Sequence, residues 1–120
     1  MALVLVVDDE ATVLKNMAHS LRRAGFEVLT AADCANARAI LSRKAVDALC
    51  LDIILPDGNG LDLLEEVRQI APGLPAIVMS SAFTPENRSR AARLGVEDFL
   101  PKPFPLTALK ATLDKLHLSP

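Results

Sequence analysis

Short apolar runs alternate along this chain with longer amphipathic stretches, and this alternation limits the possible folds more than any other feature. The apolar runs lie at residues 3–7, 48–51, 76–79 and 99–100, and a candidate edge strand lies at 27–31. Strands of a parallel sheet read as continuous apolar runs because helices bury both faces of the sheet. The alternation therefore predicts an α/β fold with a five-stranded parallel sheet.

The stretches between the strands carry apolar residues at helical spacing. Boundary residues place Gly25 at the end of the first helix, Asp33 and about Ser42 at the ends of the second, Pro72-Gly73 after the third, and Thr84 before the fourth. The inner face of the fourth helix offers only Ala91, Ala92 and Leu94, whereas the fifth helix is rich in leucine. We expect the fourth helix to be held most loosely, because little apolar area fixes it.

The composition fits a single globular domain spanning residues 1–120, either complete or excised from a longer protein. The 120 residues are 51% hydrophobic, which is ample for one core. A net charge of −2 without a basic stripe argues against direct binding of nucleic acid. The longest apolar stretch is far shorter than the roughly 20 residues that span a bilayer, so no membrane binding is expected. Only Cys34 and Cys50 are present, and we expect a reduced, cytoplasmic setting.

Polar side chains follow four of the predicted strands: Asp8 and Asp9, Asp52, Ser81, and Lys102. In open parallel sheets ligands bind beyond the carboxyl ends of the strands, so we expect these groups to share one site. A carboxylate such as Asp52 can attack a phosphoryl group. Neighbouring carboxylates repel one another, and Mg²⁺ would relieve that repulsion. Zinc is not expected, because no histidine or cysteine lies near these strand ends.

Four motifs stand in order at these strand ends: Asp8-Asp9-Glu10, Asp52 followed by Pro56 and Gly60, Ser81-Ala82, and Lys102-Pro103-Phe104. In order and spacing they resemble the receiver domain of two-component response regulators, and the resemblance covers essentially the whole chain. It implies a (βα)5 flavodoxin-like three-layer sandwich whose five-stranded parallel sheet has the order 2-1-3-4-5. It also implies a signalling domain rather than an enzyme.

The resemblance assigns the chemistry to particular residues. Asp52 would accept a phosphoryl group from a phosphohistidine on a partner histidine kinase or histidine phosphotransfer protein. The cofactor would be Mg²⁺, bound by Asp9, Asp52 and the backbone carbonyl of Ile54, with Asp8 acting through water. Lys102 would bind the phosphate, and its peptide bond to Pro103 would be cis, as only X-Pro bonds readily allow.

Ser81 and Phe99 resemble the switch pair of the family, although threonine and tyrosine are common at these positions. Phosphorylation would move this pair and remodel the face made by the fourth helix, the fifth strand and the fifth helix. A homodimer or another partner contact would then form on that face. The sequence is equally compatible with Phe99 as an ordinary core residue.

Several simpler interpretations compete with these assignments. The three acids at residues 8–10 could only stabilise the dipole of the first helix. A metal-dependent aspartyl phosphohydrolase would usually carry a second acid where Ile54 stands. A pseudo-receiver, which is an interaction module that has lost phosphorylation, is disfavoured by the full set of acids, hydroxyl and lysine.

The remaining residues of interest have smaller predicted roles. Ile54 and Phe83 occupy positions that in the family tune the access of water to the acyl phosphate, and because both are apolar we expect slow self-hydrolysis. His19 and His117 are expected to have no chemical role. Gly58 and Gly60 lack the spacing and lysine of a P-loop and are interpreted as a flexible loop before the third helix.

Overall fold

The structure is a computed structural model that describes residues 1–82 and 84–116. Two residues discussed above, Phe83 and His117, lie outside the described residues. Within the described ranges the sheet contains β1 (Leu3–Val7), β2 (Glu27–Ala31), β3 (Ala48–Asp52), β4 (Ala76–Ser80) and β5 (Asp98–Pro101). All neighbouring strands are parallel, in the order β2-β1-β3-β4-β5. The predicted sheet and its strand order are confirmed.

The helices that connect these strands are α1 (Ala11–Arg23), α2 (Cys34–Arg43), α3 (Gly60–Ile70), α4 (Pro85–Arg93) and α5 (Leu106–Lys115). Gly25, with φ of 100°, follows α1 as predicted. The two predicted caps are also confirmed: Asp33 accepts a hydrogen bond from Asn36 N at 2.7 Å, and Thr84 Oγ1 accepts one from Asn87 N at 3.1 Å. Among the described residues no helix has the length and apolar character needed to cross a membrane.

The helices cover both faces of the sheet and give the predicted three-layer sandwich. On one face, side chains of α1 and α5 such as Met17 and Leu109 pack against alternate residues of the strands. On the other face, α2, α3 and α4 contribute residues such as Ala37 and Leu64 to a second core cluster. Cys50 in β3 is fully buried in the first cluster, where it packs as a small apolar residue.

The segment between β3 and α3 is more ordered than the flexible loop that its glycines suggested. Residues Ile54–Leu55 pair antiparallel with Gly58–Asn59, so the segment is a small hairpin with Pro56 and Asp57 at its tip. A Cβ atom on Gly60 would lie 2.0 Å from the carbonyl oxygen of Asp52. Gly60 is therefore required for a close backbone approach that sets the hairpin against the end of β3.

Candidate functional site

An acidic pocket closed by one lysine forms where the carboxyl ends of the central strands meet. Asp8 directly follows β1, Asp52 ends β3, and Lys102 directly follows β5. The Lys102 ammonium Nζ lies 2.7 Å from Asp8 Oδ2 and 2.9 Å from Asp52 Oδ2. Strand order explains this convergence, because β1 and β3 are neighbours and their ends lie side by side. The structure thus brings together three of the residues that the sequence selected.

A third acid, Glu10, joins the pocket although it was not among the predicted site residues. Its Oε1 lies 3.1 Å from Lys102 Nζ, and its backbone N donates a hydrogen bond of 2.9 Å to Asp8 Oδ1. Glu10 occupies the N-cap position of α1 but makes no capping bond with its side chain, which turns to the lysine instead. Its place in the run of three acids was the available signal, but that run is equally typical of a helix start.

Burial and charge act against each other in this pocket. Burial raises the pKa of Asp52, and the nearby Lys102 ammonium opposes that rise only in part. Burial alone would lower the pKa of Lys102, but its contacts with Asp8 and Asp52 outweigh burial, so the pKa of the ammonium is raised overall. Lys102 therefore stays charged at neutral pH. Burial makes the ionised form of Asp52 less favourable, and a further cation would stabilise that form.

The acids fit a divalent metal ion. Oxygen atoms of Asp8, Glu10 and Asp52 lie within 4.8 Å of one another, and these three carboxylates share a single ammonium. Asp8 is fully buried, and its Oδ2 accepts no hydrogen bond from any described residue, so its 2.7 Å contact with Lys102 is an ion pair without hydrogen-bond geometry. A buried oxygen that lacks hydrogen bonds is suited to a hard cation such as Mg²⁺.

Asp9, predicted as a direct metal ligand, is exposed and is not part of this group of three acids. Ile54, whose backbone carbonyl is another predicted ligand, lies at the base of the hairpin, where its backbone N donates a 3.3 Å hydrogen bond to Asp52 Oδ1. The residue is 56% exposed. The direct role of Asp9 and of the Ile54 carbonyl stays a prediction.

Of the two predicted switch residues, Ser81 lies beside the pocket and Phe99 lies in β5. Ser81 is exposed and lines a cavity of about 470 Å³ together with Glu10 and Lys102. Its neighbour Ser80 is fully buried, and the Ser80 hydroxyl accepts a hydrogen bond from Ala82 N at 2.9 Å. Phe99 in β5 is half-buried and packs against the cluster that includes α3 and α4. The switch role of Phe99 stays a prediction.

The segment after β5 is fixed by its backbone. Lys102 N donates a hydrogen bond of 2.9 Å to the carbonyl oxygen of Ser80, at the end of β4. The Lys102-Pro103 peptide bond is cis, as predicted. The backbone hydrogen bond holds Lys102 at the ends of β4 and β5, from where its ammonium contacts Asp8 and Asp52.

Comparison with known proteins agrees with this arrangement. The probable transcriptional regulatory protein TcrX of Mycobacterium tuberculosis is 38% identical over 101 residues, which cover 84% of this chain and 43% of TcrX. The DNA-binding transcriptional regulator NtrC of Rhizobium meliloti is 33% identical over 119 residues, which cover 99% of this chain and 25% of NtrC. This chain therefore spans less than half the length of either relative.

Solved structures show the same fold. The CheY-like receiver domain protein from Methanospirillum hungatei JF-1 matches with a TM-score of 0.93 and 26% identity, covering 97% of this chain and 93% of that one. Chemotaxis protein CheY4 of Vibrio cholerae matches with a TM-score of 0.89 and 31% identity, covering 96% and 98%. The family model for the response regulator receiver domain matches residues 4–114. The chain thus belongs to the response regulator receiver domain family, whose members are signalling domains of two-component systems.

Proposed function

We propose that this domain is a Mg²⁺-dependent switch that accepts a phosphoryl group on Asp52. The observation that carries the proposal is the position of Asp52: a nearly buried carboxylate at the end of a central strand, 2.9 Å from Lys102 and clustered with two further acids. The donor is a phosphohistidine of a histidine kinase or a histidine phosphotransfer protein, as membership of the family supports.

The transfer requires little from the protein besides positioning and charge. One Asp52 carboxylate oxygen attacks the phosphorus of the donor, and the new O–P bond forms as the N–P bond to the donor imidazole breaks. The imidazole leaves with the electron pair of that bond. Lys102 is already charged and within 3 Å of the attacking carboxylate, so it can exchange that contact for an oxygen of the incoming phosphoryl group.

A bound Mg²⁺ supplies positive charge for the phosphoryl oxygens and removes the repulsion among the acids. Asp52 and Asp8 are the buried carboxylates that would hold it, directly or through water, with Asp9 and the Ile54 carbonyl as the other predicted ligands. Glu10 lies within reach of the same position. Because Glu10 is exposed, we assign it a smaller part in metal affinity than the two buried acids.

The signal then spreads through Ser81 and Phe99 to the face made by α4, β5 and α5. A phosphoryl group adds about −1.5 to −2 charge and one to three charge-assisted hydrogen bonds. Each such bond contributes about 1.5–3 kcal/mol, and complete reversal of a two-state equilibrium needs about 5.5 kcal/mol. Two or three bonds, to Ser81 and Lys102 among others, therefore suffice to shift most of the population. The changed face forms a homodimer or binds a partner.

The relatives support a proposal for the activity of the whole natural protein. Both TcrX and NtrC are named as transcriptional regulators and are longer than this chain. The domain itself shows no basic stripe for DNA, so control of transcription would require a separate output region. We propose a regulator role in the cytoplasm, with this domain as its phosphorylated input.

Incubation with acetyl phosphate and Mg²⁺ followed by intact mass spectrometry tests the function. We expect one labile phosphoryl adduct on the wild type, none on the nearly isosteric Asp52→Asn variant, and normal labelling of Asp114→Asn, whose side chain is exposed on α5. A phosphoryl adduct on Asp52→Asn would mean that another residue is the phosphoacceptor. Multiple turnover of phosphate esters would favour the phosphohydrolase, and an unlabelled wild type would favour the pseudo-receiver.

A further inference from the structure

Asp57, at the tip of the hairpin between β3 and α3, binds the N-terminus of a different helix. Its Oδ1 accepts a hydrogen bond from Cys34 N at 2.8 Å, and its Oδ2 accepts one from Ala35 N at 3.0 Å. Both donors belong to the first turn of α2. Asp57 therefore joins the segment that follows the phosphoacceptor to a helix that is 22 or 23 residues earlier in the chain.

This contact is separate from the ordinary cap of α2. The first turn of a helix has four backbone N–H groups without partners inside the helix. Asp33, the N-cap residue, accepts a hydrogen bond from Asn36 N, so it serves a donor that Asp57 does not use. The two bonds from Cys34 and Ala35 lower the pKa of Asp57, which keeps its carboxylate ionised at the positive end of the helix dipole.

The hairpin is short and well connected, so its tip and its base move together. Leu55 pairs with Gly58 and Ile54 with Asn59. At the tip, a Cβ atom on Gly58 would lie 3.6 Å from Cys34 Sγ, so the hairpin lies directly against α2. At the base, Ile54 N donates to Asp52 Oδ1 at 3.3 Å.

The base is also tied to α3. Asn59 Oδ1 accepts a hydrogen bond from Leu61 N at 2.7 Å, and Gly60 N donates one of 2.7 Å to the carbonyl oxygen of Ile53. These bonds hold the Asn59 side of the base, whereas Ile54, in the other strand of the hairpin, moves with the tip when the hairpin rotates about the start of α3. The two hydrogen bonds of Asp57 remove that rotation.

We propose that Asp57 is a positioning residue that holds the Ile54 backbone in place for metal binding, and that it couples the metal site to the N-terminus of α2. The inference rests on the proposed function, because it takes Asp52 and the Ile54 carbonyl as metal ligands. Asp57 touches neither the metal nor the phosphoryl group. It acts only through the hairpin.

The coupling works in both directions, since linkage between two sites is reciprocal. If the α2 contact favours the hairpin position that binds Mg²⁺, then bound Mg²⁺ must favour the α2 contact. Occupation of the acidic pocket would therefore slow hydrogen exchange of the Cys34 and Ala35 amides. This response lies on α2, away from the face of α4, β5 and α5.

Mg²⁺ titration of the full chain by calorimetry, with amide hydrogen exchange measured by NMR with and without Mg²⁺, tests the proposal. We expect Asp57→Ala to weaken Mg²⁺ binding roughly tenfold, as loss of a group that orients metal ligands typically does. Asp57→Asn, which keeps one carbonyl acceptor, should lie between Asp57→Ala and wild type. Asp33→Ala is the matched control: it removes the other cap of α2 and should leave the Mg²⁺ affinity unchanged.

Equal Mg²⁺ affinity in wild type, Asp57→Asn and Asp57→Ala would overturn the positioning role while leaving the proposed function intact. An equal loss of affinity in Asp33→Ala would also overturn it, because the effect would then follow the stability of α2. A wild type that binds no Mg²⁺ would overturn the proposed function and this inference together. Support requires the graded loss of affinity and a Mg²⁺-dependent protection of the Cys34 and Ala35 amides that Asp57→Ala abolishes.

Discussion

Helices α3 and α4 cover the same face of the sheet, but different forces hold them there. The buried residues of α3 are Gly60, Leu61, Leu63, Leu64 and Val67, whereas among the described residues of α4 only Ala91 is buried. Burial of one leucine contributes about 1.5–3 kcal/mol. Apolar burial alone therefore fixes α3 firmly on the sheet, whereas it contributes very little to the attachment of α4.

Two arginines supply the missing attachment of α4. Arg90 of α4 forms ion pairs with Asp62 and Glu65 on α3, both at 2.5 Å. Arg68, in the last turn of α3, donates hydrogen bonds of 2.7 Å to the carbonyl oxygen of Leu94 and 3.4 Å to that of Gly95, at the end of α4. The same guanidinium also reaches the carbonyl oxygen of Leu74 at 2.5 Å.

The comparison explains why α4 is suited to move. Exposed ion pairs contribute only about 0.2–1 kcal/mol each, and salt screens them. Contacts of this strength can break or shift within the few kcal/mol that phosphorylation provides. A helix fixed by leucines, such as α3, would need far more. The low apolar burial of α4, expected from its sequence, therefore agrees with its proposed place in the switch.

The largest effect should come from the apolar attachment of α3. Leu64→Ala removes a fully buried side chain from the core cluster and should lower the free energy of unfolding by about 2–5 kcal/mol. Leu94→Ala, at the half-buried end of α4, is the matched control and should cost clearly less. Urea denaturation measures both. Similar losses in the two variants would contradict the difference between the helices.

The sequence predicted α3 and α4 unequally well, for a physical reason. The leucine stripe of α3 and the Thr84 cap of α4 are local patterns, and local patterns can be read from one segment. The links of α4 to α3 could not be predicted, because Arg68 and Arg90 lie on exposed-looking helix positions and their partners are 25 to 28 residues away.

The site shows the same limit. Asp8, Asp52 and Lys102 could be predicted because each follows an apolar run that must be a strand, and parallel strand ends converge. Glu10 was not predicted as a site residue, because an acidic residue at this position is also typical of the start of a helix. The hydrogen bonds of Asp57 to α2 depend on the shape of the hairpin turn. The two glycines and the proline of this segment do not specify that shape. Side-chain direction and loop shape depend on contacts between distant segments, which local sequence patterns do not specify.

Removal of the Arg68 guanidinium should have the second largest effect. Arg68→Ala leaves the carbonyl oxygens of Leu74 and Leu94 without this charged donor, which should cost about 1–2 kcal/mol of unfolding free energy. Arg68→Lys, with a single ammonium that cannot reach both sides, should recover part of it. Hydrogen exchange near residues 94–96 should accelerate in both variants. Unchanged exchange there would show that Arg68 does not fix the end of α4.

Loss of Arg90 should have a smaller effect that depends on salt. We expect Arg90→Ala to lower stability by at most about 1 kcal/mol in low salt and by almost nothing in 1 M NaCl, because both partners are exposed. The amides of α4 should nevertheless exchange faster. A double-mutant cycle with Glu65→Ala isolates the pair. A cost that is independent of salt would mean that Arg90 acts by packing, and that α4 resembles α3 more than we conclude.

The smallest effect concerns the ion pair between α2 and α3, where Arg38 Nη2 lies 2.7 Å from Glu66 Oε2. The Arg38 guanidinium lowers the pKa of Glu66 in the folded state. A carboxyl whose folded pKa is below its unfolded value of about 4.3 stabilises the fold above that pH, and the stabilisation disappears as the pH falls through the folded pKa. Arg38→Gln should therefore be slightly less stable than wild type at pH 7, and the two thermal midpoints should converge as the pH falls through the folded pKa of Glu66. A gap that keeps its size as the pH falls would assign the contribution of Arg38 to packing of its alkyl chain, and α2 would then be attached to α3 by apolar contacts, unlike α4.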